Sequence, residues 1–351
     1  MKPDLAPGVG LSTFSNLNKN LMTKNYFFNG NTKVVNGVTL KQIECEEYGV
    51  GGWIESESNL AQEGECWVSD DAMVYGNARV SGNAEVSGDA EISGNAEVYG
   101  NAEVFDNAKV YMDAEVGDEA MVFDDAVVYI KAKVLGKSRV GGNAQVFGEA
   151  KLYHNVYVSG NSKVYGNVKM YNNAVVSKNA IVYGNVLLDG NSRVSGNAHI
   201  SDYAHITGNA VIFGNAGIFG NATVGENAIV YGNAVVYGNA KLYGDAEVYG
   251  DAKVYVRAEI FDNAQVYENS QISGYAQIFC DAKVYGNAKI GNSAKILDEA
   301  EVYGDSKVCR KAMVYGKARV YDYAKVSDNA KVGGNANVGD YKVVCYDTIM
   351  E

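Results

Sequence analysis

Three histidines, His154, His199 and His205, are the residues of this chain best suited to moving protons near neutral pH. His199 and His205 stand six residues apart, within the region where the outward position before the inward aliphatic turns apolar at Val175, Ile181, Leu187, Val211, Ile229 and Val235. Gly217 follows His199 by 18 residues, and Ile181 and Val235 flank that pair at the same interval. An imidazole beside a side-chain gap, between two aliphatic residues, has the make-up of a general base at a small apolar site. His199 is therefore the candidate catalytic residue. The competing reading is an ordinary surface imidazole. Functional sites on rigid scaffolds are usually built from loops, and no insertion interrupts the chain here.

Other chemistry is signalled less. The five cysteines (Cys45, Cys66, Cys280, Cys309 and Cys345) are odd in number, irregularly spaced and lack a C-x-x-C pair. They read as thiols in a reducing compartment, with neither a disulfide framework nor a zinc site. The 40 glycines are not followed by a lysine and a helix, so they read as corners and not as phosphate cradles. The acidic residues do not follow a nine-residue calcium-binding repeat, and outward threonine pairs are absent. No cofactor or metal is expected. A formal net charge of −12 disfavours nonspecific binding to nucleic acid or acidic membranes. No apolar run approaches 18 residues, and residues 1–21 lack the apolar core of a signal peptide. A cytoplasmic location is expected.

The element that must carry these residues is a repeat. From Val74 to Val338 a bulky apolar residue recurs every six positions without a slip, giving 45 rungs of the form A-x-V-Y-G-N. Such a period marks a parallel β-helix. Ala and Val alternate inward along a short strand, and Gly-Asn turns the corner because both tolerate a left-handed backbone. Three strands close an 18-residue coil. The 45 rungs then make about 15 coils, a rod roughly 70 Å long at the spacing of β-strands. The fold class is all-β, a single-stranded parallel β-helix.

The flanks break the period. Residues 1–21 read as a flexible arm. Residues 22–58 read as a β-meander cap, with Asn29-Gly30 and Asn36-Gly37 as hairpin signals. Residues 59–338 form the helix, and 339–351 read as a C-terminal cap against edge-to-edge association.

The segments GGWI at 51–54 and NLAQEGECWV at 59–68 resemble the entry segment of the YdcK-like family, bacterial β-helix proteins with similar proteins encoded by phages. That resemblance implies a left-handed coil and a capped rod, and no catalytic residues. From residues alone a right-handed crossover is the default. The repeat also resembles that of hexapeptide acyltransferases, which form trimers side by side. For such an enzyme the resemblance implies His199 as general base, with an acyl-carrier substrate held between subunits. The phage resemblance implies a virion or surface-appendage component.

Reading every eighteenth residue gives the outward files. One is aromatic: Phe213, Tyr231, Tyr249, Tyr267, Tyr285, Tyr303 and Tyr321. A second runs through Tyr111, Tyr129, Phe147, Tyr165 and Tyr183. The position before each inward Val is acidic early (Glu85 to Glu115), basic late (Lys283 to Lys331), and apolar between at Val175, Ile181, Leu187, Val211, Ile229 and Val235. Stacked rings brace neighbouring coils. They also offer contact area at low entropic cost, and outward aliphatics mark interfaces. The favoured expectation is a non-catalytic scaffold, a homo-oligomer (dimer or trimer) or the binder of a protein partner along these residues.

Overall fold

The structure, a computed structural model, describes residues 26–350. The arm assigned to residues 1–21 lies outside them. A small residue, mostly Ala, alternates inward with a bulky aliphatic, mostly Val, and the result is a parallel β solenoid of about 17 turns with three sheets. Among the described residues the only helical element is a 3-10 turn, Glu57–Asn59.

Strand β1 (Phe27–Val35) pairs antiparallel with β2 (Val38–Cys45), and β2 pairs antiparallel with β3 (Gly49–Ile54). The two Asn-Gly pairs serve different ends. Asn36 (φ 53°) and Gly37 (φ 82°) form the two-residue turn, with Val35 opposite Val38. Asn29-Gly30 instead lies inside β1, where Gly30 (φ 96°) sits in a register shift between Phe28 and Thr32, so it makes a bulge. The chain then runs through β4 (Leu60–Gly64), β5 (Trp67–Val68) and β6 (Met73–Val74). Trp53 pairs in parallel with Met73 and Ile54 with Val74, which hands the antiparallel cap over to the parallel rod.

The entry motif has a steric basis. A Cβ on Gly51 would lie 2.6 Å from the Trp67 ring and 2.7 Å from the Val68 carbonyl oxygen. A Cβ on Gly52 would lie 2.7 Å from the Ala72 carbonyl oxygen. Buried Asn59 donates to the carbonyls of Gly76 (3.0 Å) and Ala78 (2.8 Å) and accepts from the Ser56 amide (2.9 Å). It thereby satisfies backbone groups at the solenoid mouth.

Each subsequent strand is mostly two residues long and pairs with the residues 18 positions away. We call the sheets face A (β3, β6, then Glu91–Ile92 onward), face B (β4, Arg79–Gly82 onward) and face C (β5, Glu85–Val86 onward). The inward Ala and Val side chains are fully buried throughout the repeat. Past Val338 the chain makes one more turn. Val343–Cys345 pairs in parallel with Lys325–Ser327, and Thr348–Met350 with Lys331–Gly333. The stretch expected to cap the rod thus extends faces A and B.

Corners follow a second rule. The residue after the outward aromatic has positive φ, and is usually Gly. Where it is acidic, its carboxylate accepts the amide one coil on: Asp118 from Gly136 (2.9 Å), Asp202 from Gly220 (2.8 Å), Asp298 from Gly316 (2.9 Å). A side chain that reaches a backbone donor offsets part of the left-handed strain.

Candidate functional site

Eighteen-residue register decides which candidates meet. Ile181, His199, Gly217 and Val235 are consecutive partners on face A, as their spacing predicts. His205 lies on face B, opposite Leu187 and Thr223. The two imidazoles therefore occupy different faces. His199 is exposed; its backbone amide donates to the Ala216 carbonyl at 2.9 Å, and its imidazole makes no hydrogen bond among the described residues. The gap expected at Gly217 is filled: a Cβ there would lie 2.5 Å from the Phe219 ring, and Gly217 is buried. A shallow recess lined by Asn239, Lys241, Arg257, Glu259, Tyr275 and Gln277 lies elsewhere on the rod and does not include His199. His154 has a structural task. It holds a left-handed corner (φ 66°), and its Nδ1 accepts the Asn172 amide at 3.2 Å. Cys45, Cys280, Cys309 and Cys345 are free thiols. Among the described residues no group of three or more His, Cys, Asp or Glu side chains gathers as metal ligands would.

The six outward aliphatics divide among three faces. Val175, Val211 and Ile229 lie on face C, with Arg193 between the first two. Ile181 and Val235 are on face A, and Leu187 is on face B. Only Val211 and Ile229 are direct neighbours. They stand beside Phe213 and Tyr231, the first rings of the aromatic file, which belongs to the same face.

That file is continuous. Seven rings from Phe213 to Tyr321 stack with centroids 4.7–5.4 Å apart and planes within 12°. The last ring, Tyr321, lies over Gly339, where a Cβ would be 2.3 Å away. The five-ring file on face A, Tyr111 to Tyr183, stacks likewise at 4.7–5.1 Å. Burial among neighbouring rings pushes the Tyr249 phenol up to about 12, and Tyr285 is raised further by burial and by Glu301. Because the ring faces are spent on one another, the file presents edges and hydroxyls to its surroundings.

Two networks were not anticipated. Asparagines at the corners donate Nδ2 to the Oδ1 one coil on, in a run Asn143, Asn161, Asn179, Asn197, Asn215, Asn233, ending at Asp251. A parallel run from Asn155 ends at Asp245, and a short one from Asn77 ends at Asp113. A carboxylate accepts but cannot donate, so an Asp terminates each run. The signal was present in sequence as Gly-Asn giving way to Gly-Asp. Ion pairs also follow the coil: Lys133 meets Glu115 at 2.6 Å, Lys137 meets Glu119 at 3.1 Å and Lys317 meets Glu299 at 3.4 Å.

Comparison with known proteins adds one finding. The family model described as the YdcK β solenoid repeat matches residues 68–82 and 74–88, two windows offset by one rung. They begin where the entry motif ends, at Val68. A comparison with curated proteins finds no match. Residues 68–88 of this β solenoid, about one coil, thus match the YdcK solenoid repeat.

Proposed function

We propose that this chain is a non-catalytic rigid scaffold that docks against another protein surface, its own or a partner's, through face C. The observation that carries this reading is the unbroken aromatic file from Phe213 to Tyr321 beside the adjoining Val211 and Ile229. Sugars and nucleobases are gripped by exposed ring faces. Here those faces are occupied, and what remains suits a protein contact rich in Tyr edges and aliphatic groups. The reading as an acyl-CoA-dependent transferase requires the space beside His199, which the Phe219 ring fills.

Light scattering coupled to size exclusion, on wild type and Ile229→Lys, tests the proposal. An oligomer that the substitution dissociates supports face C. An oligomer indifferent to it moves the contact elsewhere, and a monomer removes self-association. Titration with acetyl-CoA provides the contrast: binding that His199→Ala abolishes would favour the enzyme.

A further inference from the structure

Face C carries two outward files, and both change character near its middle. The file after each inward Val holds a stacked ring pair, Phe105 and Phe123, the latter covering Gly141, then three serines (Ser159, Ser177, Ser195), then the long aromatic run from Phe213 to Tyr321. The file before each inward Val runs Glu85, Glu103, Arg139, Arg193 in the first half and Glu247, Lys283, Glu301, Arg319 in the second, with Glu301 also paired to Arg319 at 3.5 Å. Arg193 and Glu247 form no ion pair among the described residues, although stacked Lys-Glu pairs recur elsewhere on the rod.

From this pattern we infer that the occupant of face C is a second copy of this chain, lying antiparallel, with the two-fold axis along the strand direction between Val211 and Ile229. The inference rests on the docking role proposed above. A two-fold in that direction reverses the rod and keeps each file opposite itself. It sets Val211 against Ile229 of the second copy, Arg193 against its Glu247, and Arg139 against its Glu301. In the neighbouring file Phe213 faces Tyr231 across the axis, Ser195, Ser177 and Ser159 come to face the rings of Tyr249, Tyr267 and Tyr285, and Tyr303 meets the Phe123 ring over Gly141. Over the three serine levels on either side of the axis, the tyrosine ridge of each copy enters the serine trough of the other, in the reciprocal pairing of an isologous interface. Every one of these pairings occurs twice.

Sheets pack about 10 Å apart, which suits a ring opposite a serine better than a ring opposite a ring. A parallel arrangement sets each level against itself, so the rings meet the long side chains of Glu247, Gln265 and Lys283, the serines meet Arg193, Val175 and Tyr157, and Arg193 and Glu247 gain no opposite charge. Ten coils at ~4.8 Å, over a face about five residues wide at ~3.3 Å each, bury roughly 790 Å² a copy. A standard stable interface buries about 800 Å² a side.

Charge exchange tests the arrangement. Arg193→Glu or Glu247→Arg alone sets like charges together at two places and should weaken the dimer roughly tenfold or more in sedimentation. The double variant Arg193→Glu/Glu247→Arg should recover wild-type association, and Lys253→Glu on face A should leave it unchanged. Oxidation of Arg193→Cys/Glu247→Cys should give a covalent dimer, and Arg193→Cys alone should not. Cross-linking of the single cysteine, or a double variant no better than the singles, overturns the antiparallel pairing. If Ile229→Lys dissociates the oligomer while the charge exchanges do nothing, the arrangement fails and the docking face stands. An oligomer indifferent to all of these substitutions overturns both.

Discussion

Replacing Asn197 by Asp isolates the amide ladder from the rest of the fold. Asn197 accepts from Asn179 at 3.0 Å and donates to Asn215 at 3.0 Å. An aspartate keeps the first bond and loses the second, and it leaves the Asn215 carbonyl oxygen facing a carboxylate. One lost hydrogen bond at an exposed corner costs about 1 kcal/mol. A repeat protein need not unfold in one step, so the readout should be local. Amides of coils flanking residue 197 should exchange about fivefold faster than in wild type at pH 7. Protonation restores a donor, so the introduced carboxyl should have a folded pKa raised above the unfolded value near 4. The penalty is then absent below that unfolded value, and appears as pH rises from it through the raised folded pKa. Asp251→Asn is the control. It retains the acceptor for Asn233 at 2.9 Å and should change exchange little. Equal exchange in wild type and Asn197→Asp, or an equal penalty in the control, would refute the directional ladder.

Three further outcomes follow from the same geometry. Ser192, Ser270 and Ser306 occupy inward Ala positions, and their hydroxyls lack partners among the described residues. Each Ser→Ala should stabilise by about 1 kcal/mol, read as a rise in melting temperature that accumulates in the triple variant. The Tyr249 phenol, raised to about 12, is protected in the folded rod. Stability should therefore be intact below the unfolded tyrosine value near 10 and fall as pH rises from there towards 12, with absorbance at 295 nm showing late ionisation that denaturant abolishes. Gly51→Ala forces a methyl against Trp67 and the Val68 carbonyl and should destabilise the cap by about 2 kcal/mol, seen as earlier proteolysis of the N-terminal hairpin.

Much of this architecture was legible in the sequence because inward packing and register are periodic. Val74 to Val338 fixes which side chains point in, and 18-residue addition places His199 over Gly217 and Phe213 under Tyr231 without coordinates. What was not legible depends on how side chains lean. Gly217 reads as an opening until the Phe219 ring is seen across it. Six aliphatics in sequence read as a patch until three-fold winding sends Leu187 and Val235 to faces away from Ile229. Asn29-Gly30 and Asn36-Gly37 are the same dipeptide, and pairing with β2 makes one a bulge and the other a turn. In the extra turn Val344 still keeps the six-residue spacing from Val338, and it is the next rung that slips: Ile349 follows inward five positions on.

The strict three-rungs-per-coil winding also constrains how this chain can change length. Adding or deleting 18 residues leaves every downstream file on its own face. Adding six rotates everything beyond the insertion by a third of a turn: the core stays filled, yet the tyrosine file is carried onto a different side from Val211. Duplication within the gene is therefore nearly free for folding and selective for surface. The rod can grow continuously in packing terms, but a lineage that keeps the tyrosine file beside Val211 can inherit length only in whole coils.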